Sequence, residues 1–403
     1  MVNGRGRILV LLALAELLGM SVWFSASALA PQLREAWSLS AAQAGWLTSA
    51  VQLGFVAGTA TAALLNLADV VPARIYFALA ALAAAACNTA LLAAGDAASG
   101  GYHLALLSRF GTGFFLAGVY PPAMKMIATW YRDGRGFAIG TVVGALTVGK
   151  ATPFLLHGLE HAGIAPVVLA ASAACAAAGL LVFAGYRDGP FAFERRPFAW
   201  NLVGTVVRCR EVRLATSGYL GHMWELYAMW SWIAAFLATG AGLGARGGDI
   251  AGFAAIAAGG AGCVLGGVLA DRYGRERLTI WAMALSGGCA AVIGLSAAAP
   301  ALVVAVALVW GFAVVADSAQ FSALVTELAP SHAVGTALTL QTSLGFLLTM
   351  ASIQLVPRLV AVVGWRWAFV ALAVGPMLGI GAMRRLRRLR ATAPAPAPSP
   401  PGS

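Results

Sequence analysis

The chain has 403 residues, of which 60% are hydrophobic and only 10% are charged. A soluble domain carries about 25% charged residues, so the composition excludes an ordinary soluble enzyme. It predicts instead a protein that crosses a membrane several times. The net charge of +11 does not indicate nucleic-acid binding, because most basic residues fall in short loops and a tail.

The first apolar run resembles a signal peptide, since Arg5 and Arg7 precede it. It extends from Ile8 to about Ala30, which is close to the roughly 20 residues that a spanning helix needs. It also contains Glu16, and a proline follows Ala30. We therefore interpret it as a retained first membrane helix.

Glycines, prolines and short polar clusters divide the following sequence into further apolar segments. The predicted fold is an all-α membrane protein with twelve transmembrane helices. Their predicted spans are 8–31, 43–65, 73–95, 103–127, 135–158, 163–186, 212–239, 249–270, 277–298, 300–327, 334–357 and 364–386.

Basic residues predict the orientation of these helices. With the N-terminus inside, the predicted cytoplasmic segments hold 19 of the 26 Lys and Arg residues, and the outside loops hold four. Positive charge collects on the cytoplasmic side of membrane proteins, so we expect both termini to lie in the cytoplasm. We expect the protein itself to lie in the inner membrane. The Arg-rich segment 187–211 is predicted to link two six-helix halves, residues 1–186 and 212–390, and the Pro/Ala-rich tail 391–403 is predicted to be disordered.

A charged motif lies between the eighth and ninth predicted helices. Residues 266–277 read Gly-Gly-Val-Leu-Ala-Asp-Arg-Tyr-Gly-Arg-Glu-Arg, and a weaker copy beginning Leu-Ala-Asp occupies 67–74. The pattern resembles the loop signature of the major facilitator superfamily of secondary transporters, and its two copies indicate a duplicated architecture. The residues that carry the motif are Asp69, Arg74, Gly267, Asp271, Arg272, Gly274 and Arg275.

The fourth and fifth predicted helices add to this resemblance. Arg109, Gly113 and Ala117 follow the superfamily's spacing on the fourth helix, and residues 119–138 are similar to the nitrate/nitrite porter and cyanate permease branch. The branch's Gly-Asn signatures are absent from the fifth and eleventh helices, and Gln52 stands on a second helix that has no arginine. A nitrate carrier is therefore not predicted.

The resemblance implies two pseudo-symmetric halves that enclose a central site and alternate its access between the two sides of the membrane. It also implies that the motif residues latch the halves together on the cytoplasmic side in the outward-open state. No phosphate-binding loop is readable, so we expect no cofactor and no ATP-driven step.

Ionisable side chains inside the predicted helices are the candidate site residues, because each costs about 2.5–3.5 kcal/mol to insert. Glu16 lies near the middle of the first helix, with Trp23 on the same face, and Lys150 lies in the fifth. Lys150 and Arg109 favour an anionic solute if they face the cavity. Their alternatives are an ion pair within the protein for Lys150 and a structural role for Arg109.

The second half offers a similar set of polar groups. His222 and Glu225 lie one turn apart on the seventh helix, and Asp317 and Gln320 lie on the tenth. We expect these side chains either to face the cavity and bind protons or to form hydrogen-bonded polar pairs between helices. The proton-coupling candidates are Glu16, Glu225 and Asp317, and Gln52 and Gln341 are further candidates for solute contacts or interhelical bonds.

The predicted function is secondary active transport of a small polar, anionic solute with protons, by a monomer in the lipid bilayer. One alternative is a proton-coupled exporter of drugs or lipophilic cations, with the same carboxylates as counter-ions. Another is a receptor or scaffold that does not transport, although buried charges and an intact motif argue against it. A cluster of His157, Glu160 and His161 is interpreted as a solvated turn, so no metal site is predicted.

Overall fold

The computed structural model describes residues 2–94, 100–132, 134–160, 163–191 and 198–392, and within these ranges it contains helices and no strand. The longer helices before residue 191 are α1 (Val2–Gly19), α2 (Ala41–Leu64), α3 (Ala73–Thr89), α4 (Gly101–Leu116), α5 (Tyr120–Ala128), α6 (Arg135–Glu160) and α7 (Ile164–Gly185). Those after it are α8 (Arg210–Ala235), α9 (Gly244–Tyr273), α10 (Arg275–Val292), α11 (Pro300–Ala316), α12 (Ser318–Leu328), α13 (Val334–Val363) and α14 (Val374–Thr392).

Nine helices among the described residues are long and apolar enough to cross a membrane, and they correspond to nine of the twelve predicted spans. The prediction of an all-helical, multi-pass membrane protein is confirmed. The other three predicted spans are 8–31, 103–127 and 212–239. The first two are interrupted, and α8 carries so many polar and aromatic residues that its hydropathy is low.

Three of the predicted spans contain a break, although the tenth still corresponds to one candidate membrane span, Pro300–Leu328. The first helix begins at Val2, ends at Gly19, and continues through a 3₁₀ turn (Met20–Val22) into short helices that end at Trp37. The fourth is divided between Leu116 and Tyr120. The tenth is divided at Asp317, between α11 and α12. Hydropathy patterns do not reveal such breaks, because the broken segments stay apolar.

Glycines allow several of these helices to pack backbone to backbone. A Cβ atom at Gly54 of α2 would lie 2.0 Å from the carbonyl oxygen of Phe110 in α4. A Cβ atom at Gly149 of α6 would lie 2.1 Å from the carbonyl oxygen of Leu17 in α1. Small residues at such crossings are the usual means of close approach between membrane helices. The contact at Gly149 brings the middle of α6 against α1.

Gly311→Ala tests this packing. A Cβ atom at Gly311 of α11 would lie 1.7 Å from the carbonyl oxygen of Ala255 in α9, so the two helices must separate. We expect the substitution to lower the free energy of unfolding by about 1–3 kcal/mol, as overpacking does. Gly288→Ala in α10 is the matched control, because no atom lies within 4 Å of its added Cβ. Equal thermal midpoints for the two variants in detergent would contradict this packing.

Candidate functional site

A cavity lies where the broken first helix meets α2, α5, α6, α8, α12 and α13, and residues from all of these elements line it. Seven of its eighteen lining residues are aromatic, and Lys150 is the only charged one among the described residues. The aromatic lining residues are Trp23, Phe55, Tyr120, Tyr219, Tyr227, Trp230 and Phe346. A single ammonium group therefore faces a largely aromatic wall.

Aromatic rings and a phenol surround the ammonium group of Lys150. Lys150 Nζ donates a hydrogen bond to Tyr227 Oη at 2.6 Å and lies 4.0 Å from the ring centroid of Trp23. The Trp230 ring centroid is 5.3 Å away. Lys150 forms no ion pair with a carboxylate in the described part of the chain. These contacts stabilise a cation but do not neutralise its charge.

Glu16 lies close to this group, on the neighbouring helix. Glu16 is fully buried, and neither of its carboxylate oxygens has a hydrogen-bond partner among the described residues. The backbone contact between Leu17 and Gly149 brings Glu16 and Lys150 to the same level, and the two side chains interact electrostatically. Glu16 does not itself line the cavity, whereas Met20, one turn later, does.

Arg109 holds the break in the first helix and does not line the cavity. Its guanidinium donates to the backbone carbonyls of Val22 and Trp23, at 3.0 and 2.5 Å. It also donates to the side chains of Ser25 and Asn88, at 3.1 and 2.5 Å. All four acceptors are neutral. Arg109 therefore binds the carbonyl groups that the interrupted helix leaves without helical partners, and it fixes the position of Trp23.

Arg109→Gln is expected to lower the free energy of unfolding by about 2 kcal/mol, because buried carbonyl groups lose their donors. Arg246→Gln is the matched control, since Arg246 is exposed near the start of α9. Thermal unfolding of the two variants in detergent measures the difference. A midpoint for Arg109→Gln equal to that of the control would contradict the structural role.

The polar groups of the second half form two separate clusters, a pair and a group of three. His222 Nδ1 lies 2.9 Å from Asp317 Oδ1, and both side chains are 1% exposed. The two carboxylate oxygens of Glu225 accept hydrogen bonds from Ser286 Oγ at 2.8 Å and from Trp310 Nε1 at 2.6 Å. His222 and Glu225 thus have different partners, and the structure does not join them in a relay. None of these groups lines the cavity.

The predicted glutamines also lie outside the cavity lining. Gln320 accepts a hydrogen bond from Arg275 at 2.6 Å, and Gln341 donates to the carbonyl of Phe321 at 3.4 Å. Gln52 is fully buried, and its side-chain amide has no partner in the described ranges. Sequence reasoning missed Phe55, Tyr120 and Phe346 as lining residues, because an aromatic residue on an apolar helix gives no signal of its own.

The motif residues lie at one end of the bundle, which we call the motif end. Gly274 has a φ of +90°, a conformation that suits glycine, and it separates α9 from α10. Arg275 Nε donates to Glu327 of α12 at 2.7 Å. The carboxylate of Asp271 lies beside Gly136 in the first turn of α6, and a Cβ atom there would lie 2.8 Å from Asp271 Oδ2. A helix N-terminus favours such a negative charge.

No hydrogen bond or ion pair between described residues involves Arg74 or Arg272, and Gly267 packs against backbone. Arg74 and Arg272 are exposed, and a Cβ atom at Gly267 would lie 2.9 Å from the carbonyl oxygen of Gly136. The side chain of Asp69 lies outside the described residues, so its predicted latch contact stays a prediction.

The opposite end of the bundle is held by polar contacts between distant parts of the chain. His157 Nδ1 lies 2.5 Å from Asp249 Oδ2, which joins α6 to α9. Gln354 of α13 donates to Ser49 of α2 at 3.3 Å. Asp249 gave no signal in the sequence, because it lies at the end of an apolar span. His161 and the side chain of Glu160 lie outside the described residues, and the described ones contain no cluster suited to a metal ion.

The lining residues toward the motif end are less buried than those toward the other end. The lining residues Ser322 and Thr342, which lie toward the motif end, are half-buried. Lys150 and Trp230, toward the other end, are only 3% and 2% exposed. The more buried part of the cavity therefore holds the ammonium group, and the less buried part carries hydroxyl groups.

The chain belongs to the Major Facilitator Superfamily, whose family model matches residues 11–353. This confirms the predicted superfamily and defines the protein as a membrane transporter rather than an enzyme. The nitrate/nitrite branch is not confirmed. No curated protein sequence matches the chain.

Solved structures with the same fold include three transporters. A bacterial homolog of the human lysosomal transporter Spinster, in an inward-facing and occupied conformation, has a TM-score of 0.71 at 18% identity and covers 97% of this chain and 99% of its own. The structure of the D323A mutant of the nucleoside transporter NupG has a TM-score of 0.68 at 14% identity and covers 94% of this chain and 99% of its own. The structure of the human organic anion transporter MFSD10 (TETRAN) has a TM-score of 0.67 at 13% identity and covers 94% of this chain and 99% of its own.

Proposed function

We propose that this transporter moves a small anionic solute across the inner membrane together with a proton, by alternating access. The observation that carries the proposal is Lys150. It is the only charged residue among the described lining residues, it is buried, and its partners are neutral. A buried cation that makes no direct ion pair is costly, and a bound anion in contact with it would lower that cost.

The proposed layout is twelve transmembrane helices in two halves, residues 1–186 and 212–390, joined by a cytoplasmic linker at 187–211. The breaks near Trp23 and at Asp317 support it, because each interrupts a helix at the cavity, as in other secondary transporters. The bias of basic residues supports cytoplasmic termini, and hence a cytoplasmic motif end. We propose a monomer, since one chain encloses the whole cavity.

On this orientation the conformation is inward-facing. The less buried part of the cavity lies toward the motif end, while contacts of His157 with Asp249 and of Gln354 with Ser49 join helices at the other end. The outward-open state would break those contacts and close the motif end. The contacts of Asp271 with the start of α6, and of Arg275 with Glu327, support a role for the motif residues there.

Glu16 is the proposed proton carrier. Its carboxylate has no hydrogen-bond partner in the described chain and interacts with Lys150, the group that binds the anion. Among the described residues, Tyr120 and Cys175 are other titratable side chains near Glu16, and neither is a carboxylate or a cation. An anion on Lys150 cancels the positive charge that favours ionised Glu16, so it promotes binding of a proton. By linkage the proton promotes anion binding equally.

The other two candidates are weaker as proton carriers. The Glu225 oxygens already accept hydrogen bonds from Ser286 and Trp310, which indicates a structural role for this carboxylate. Asp317 has His222 as its partner, and neither residue of this pair lines the cavity.

Export of lipophilic cations is the main rival. It requires an anionic or neutral cavity, and the lining has one ammonium group and no carboxylate among the described residues. The names of the structural relatives do not choose between these functions, because at 13–18% identity they share only the fold.

A thermal-stability screen of the purified protein tests the proposal. The panel contains nitrite, cyanate, acetate and benzoate, with glucose, alanine and tetraphenylphosphonium as non-anionic compounds. A ligand at 100 times its Kd stabilises by about 2.7 kcal/mol, which is readily detected. We expect stabilisation by an anion in the natural protein and none in Lys150→Gln. Stabilisation by tetraphenylphosphonium alone, with loss in Glu16→Gln, would favour the exporter, and no stabilisation by any compound would favour a non-transporting receptor or scaffold.

A further inference from the structure

We infer that the transported anion is a monocarboxylate with a flat apolar body, held at its carboxylate by Lys150 and Tyr227 and at its body by aromatic rings. This inference rests on the proposed function and names the substrate class of the same site. It follows from the hydrogen-bond donors, the aromatic rings and the charge of the cavity.

Lys150 and Tyr227 offer two donors side by side. Tyr227 Oη accepts the hydrogen bond from Lys150 Nζ at 2.6 Å. A phenol has one proton to donate, and among the described residues no acceptor takes that of Tyr227. The ammonium and the hydroxyl group can therefore each bind one oxygen of the same anion. Two adjacent donors match a carboxylate better than a spherical ion, which has no paired oxygens.

The wall beside this pair is made of rings in mutual contact. The ring centroids of Trp23 and Phe55 are 5.2 Å apart, and those of Phe55 and Phe346 are 4.6 Å apart. The Tyr227 ring lies 5.2 Å from Phe346, so the aromatic wall begins at the donors. A flat apolar group placed there would be removed from water and would contact ring faces and edges. A purely inorganic anion would leave this wall without a partner.

The charge of the cavity limits the charge of the solute. Lys150 is the only cation among the described lining residues, so a second carboxylate would lie against apolar surface without a counter-ion. The hydroxyl groups of Ser322 and Thr342 in the less buried part can accept or donate one hydrogen bond each to a neutral substituent. The site therefore fits one negative charge.

In this conformation the cavity is smaller than the space that one aromatic ring needs. Its volume is about 70 Å³ in this conformation, whereas a cavity of about 150 Å³ is known to hold benzene. A bound ring must therefore extend toward the half-buried Ser322 and Thr342, where the cavity wall is less tightly enclosed. A polycyclic body would need the helices to separate further.

Binding of three anions to the detergent-purified full chain tests this inference. We expect benzoate to bind at least about tenfold more tightly than acetate, because its ring buries apolar surface. Phthalate, which adds a second carboxylate, should bind at least about tenfold more weakly than benzoate. Tyr227→Phe should weaken benzoate binding about tenfold, since a hydrogen bond to a charged group is lost.

Tyr102→Phe is the matched control, because its hydroxyl donates to the carbonyl of Gln43 away from the cavity. Phe346→Leu is the second variant, and we expect it to reduce the preference for benzoate over acetate even if Tyr227→Phe does not fold. Acetate or phthalate binding as tightly as benzoate, with Lys150-dependence, would overturn the substrate class and leave the proposed function intact. Lack of Lys150-dependent binding by any anion would instead overturn the proposed function.

Discussion

Replacing Lys150 with glutamine is expected to weaken binding of the stabilising anion at least 100-fold, about 3 kcal/mol. Truncating one partner of a buried charge pair costs about 2–5 kcal/mol, and here no other cation in the described lining can substitute. The variant should still fold, because the side chain it removes makes no direct ion pair and donates its hydrogen bond to a neutral phenol. Isothermal titration with the anion identified by the screen measures the effect.

Lys125→Gln is the matched control for this experiment. Lys125 is the only other lysine of the chain, and it lies on α5 away from the cavity lining. We expect its variant to bind the anion as tightly as the natural protein does. Unchanged affinity in Lys150→Gln, or an equal loss in both variants, would contradict a specific role for Lys150.

Glu16→Gln is expected to abolish proton-driven accumulation while leaving exchange of the anion across the membrane. A one-unit pH gradient can support about tenfold accumulation in a one-to-one symport, since one pH unit corresponds to 1.36 kcal/mol. An amide in place of the carboxylate cannot bind and release the proton, so the accumulation ratio should fall to about one. Radiolabelled anion uptake into proteoliposomes measures both processes.

Glu225→Gln separates the proton carrier from a structural carboxylate. Its oxygens accept from Ser286 and Trp310, so we expect this variant to lose stability but to keep proton-driven accumulation. Decoupling by Glu225→Gln and full coupling by Glu16→Gln would contradict the assignment of Glu16.

The superfamily and the helical membrane fold were readable from the sequence for physical reasons. Long apolar segments can satisfy their backbone only as helices in a bilayer, and the motif at 266–277 needs a turn that Gly274 supplies. Lys150 and Trp23 were also identified, because a lysine or a tryptophan in a polar stripe stands out against an apolar helix. The structure brings these two residues together at the wall of the cavity, with Lys150 Nζ 4.0 Å from the ring centroid of Trp23.

The sequence did not predict which polar side chains contact each other. Helical spacing joined His222 to Glu225 on one face, but packing brings His222 to Asp317 and Glu225 to Ser286 and Trp310. The sequence contains the periodicity of each helix and not the rotation of one helix against another. Contacts across the chain therefore need the fold.

Arg109 illustrates the same limit. A buried arginine on the fourth predicted helix was expected at the cavity, yet it binds carbonyl groups exposed by the break near Trp23. That break lies in an uninterrupted apolar run, so neither the interruption nor its guanidinium partner could be predicted. The aromatic wall formed by Phe55 and Phe346 was missed for a related reason, since both residues also suit an ordinary apolar interface.

Anion-driven proton movement in proteoliposomes tests the central claim most directly. Liposomes that contain a pH-sensitive dye receive external benzoate, acetate or nitrite, and the signal from Lys150→Gln liposomes is subtracted to remove passive permeation of the acids. We predict acidification of the lumen by at least one of these anions with the natural protein and none with Glu16→Gln. No acidification beyond the Lys150→Gln background, together with proton efflux driven by tetraphenylphosphonium, would contradict the account and identify a cation exporter.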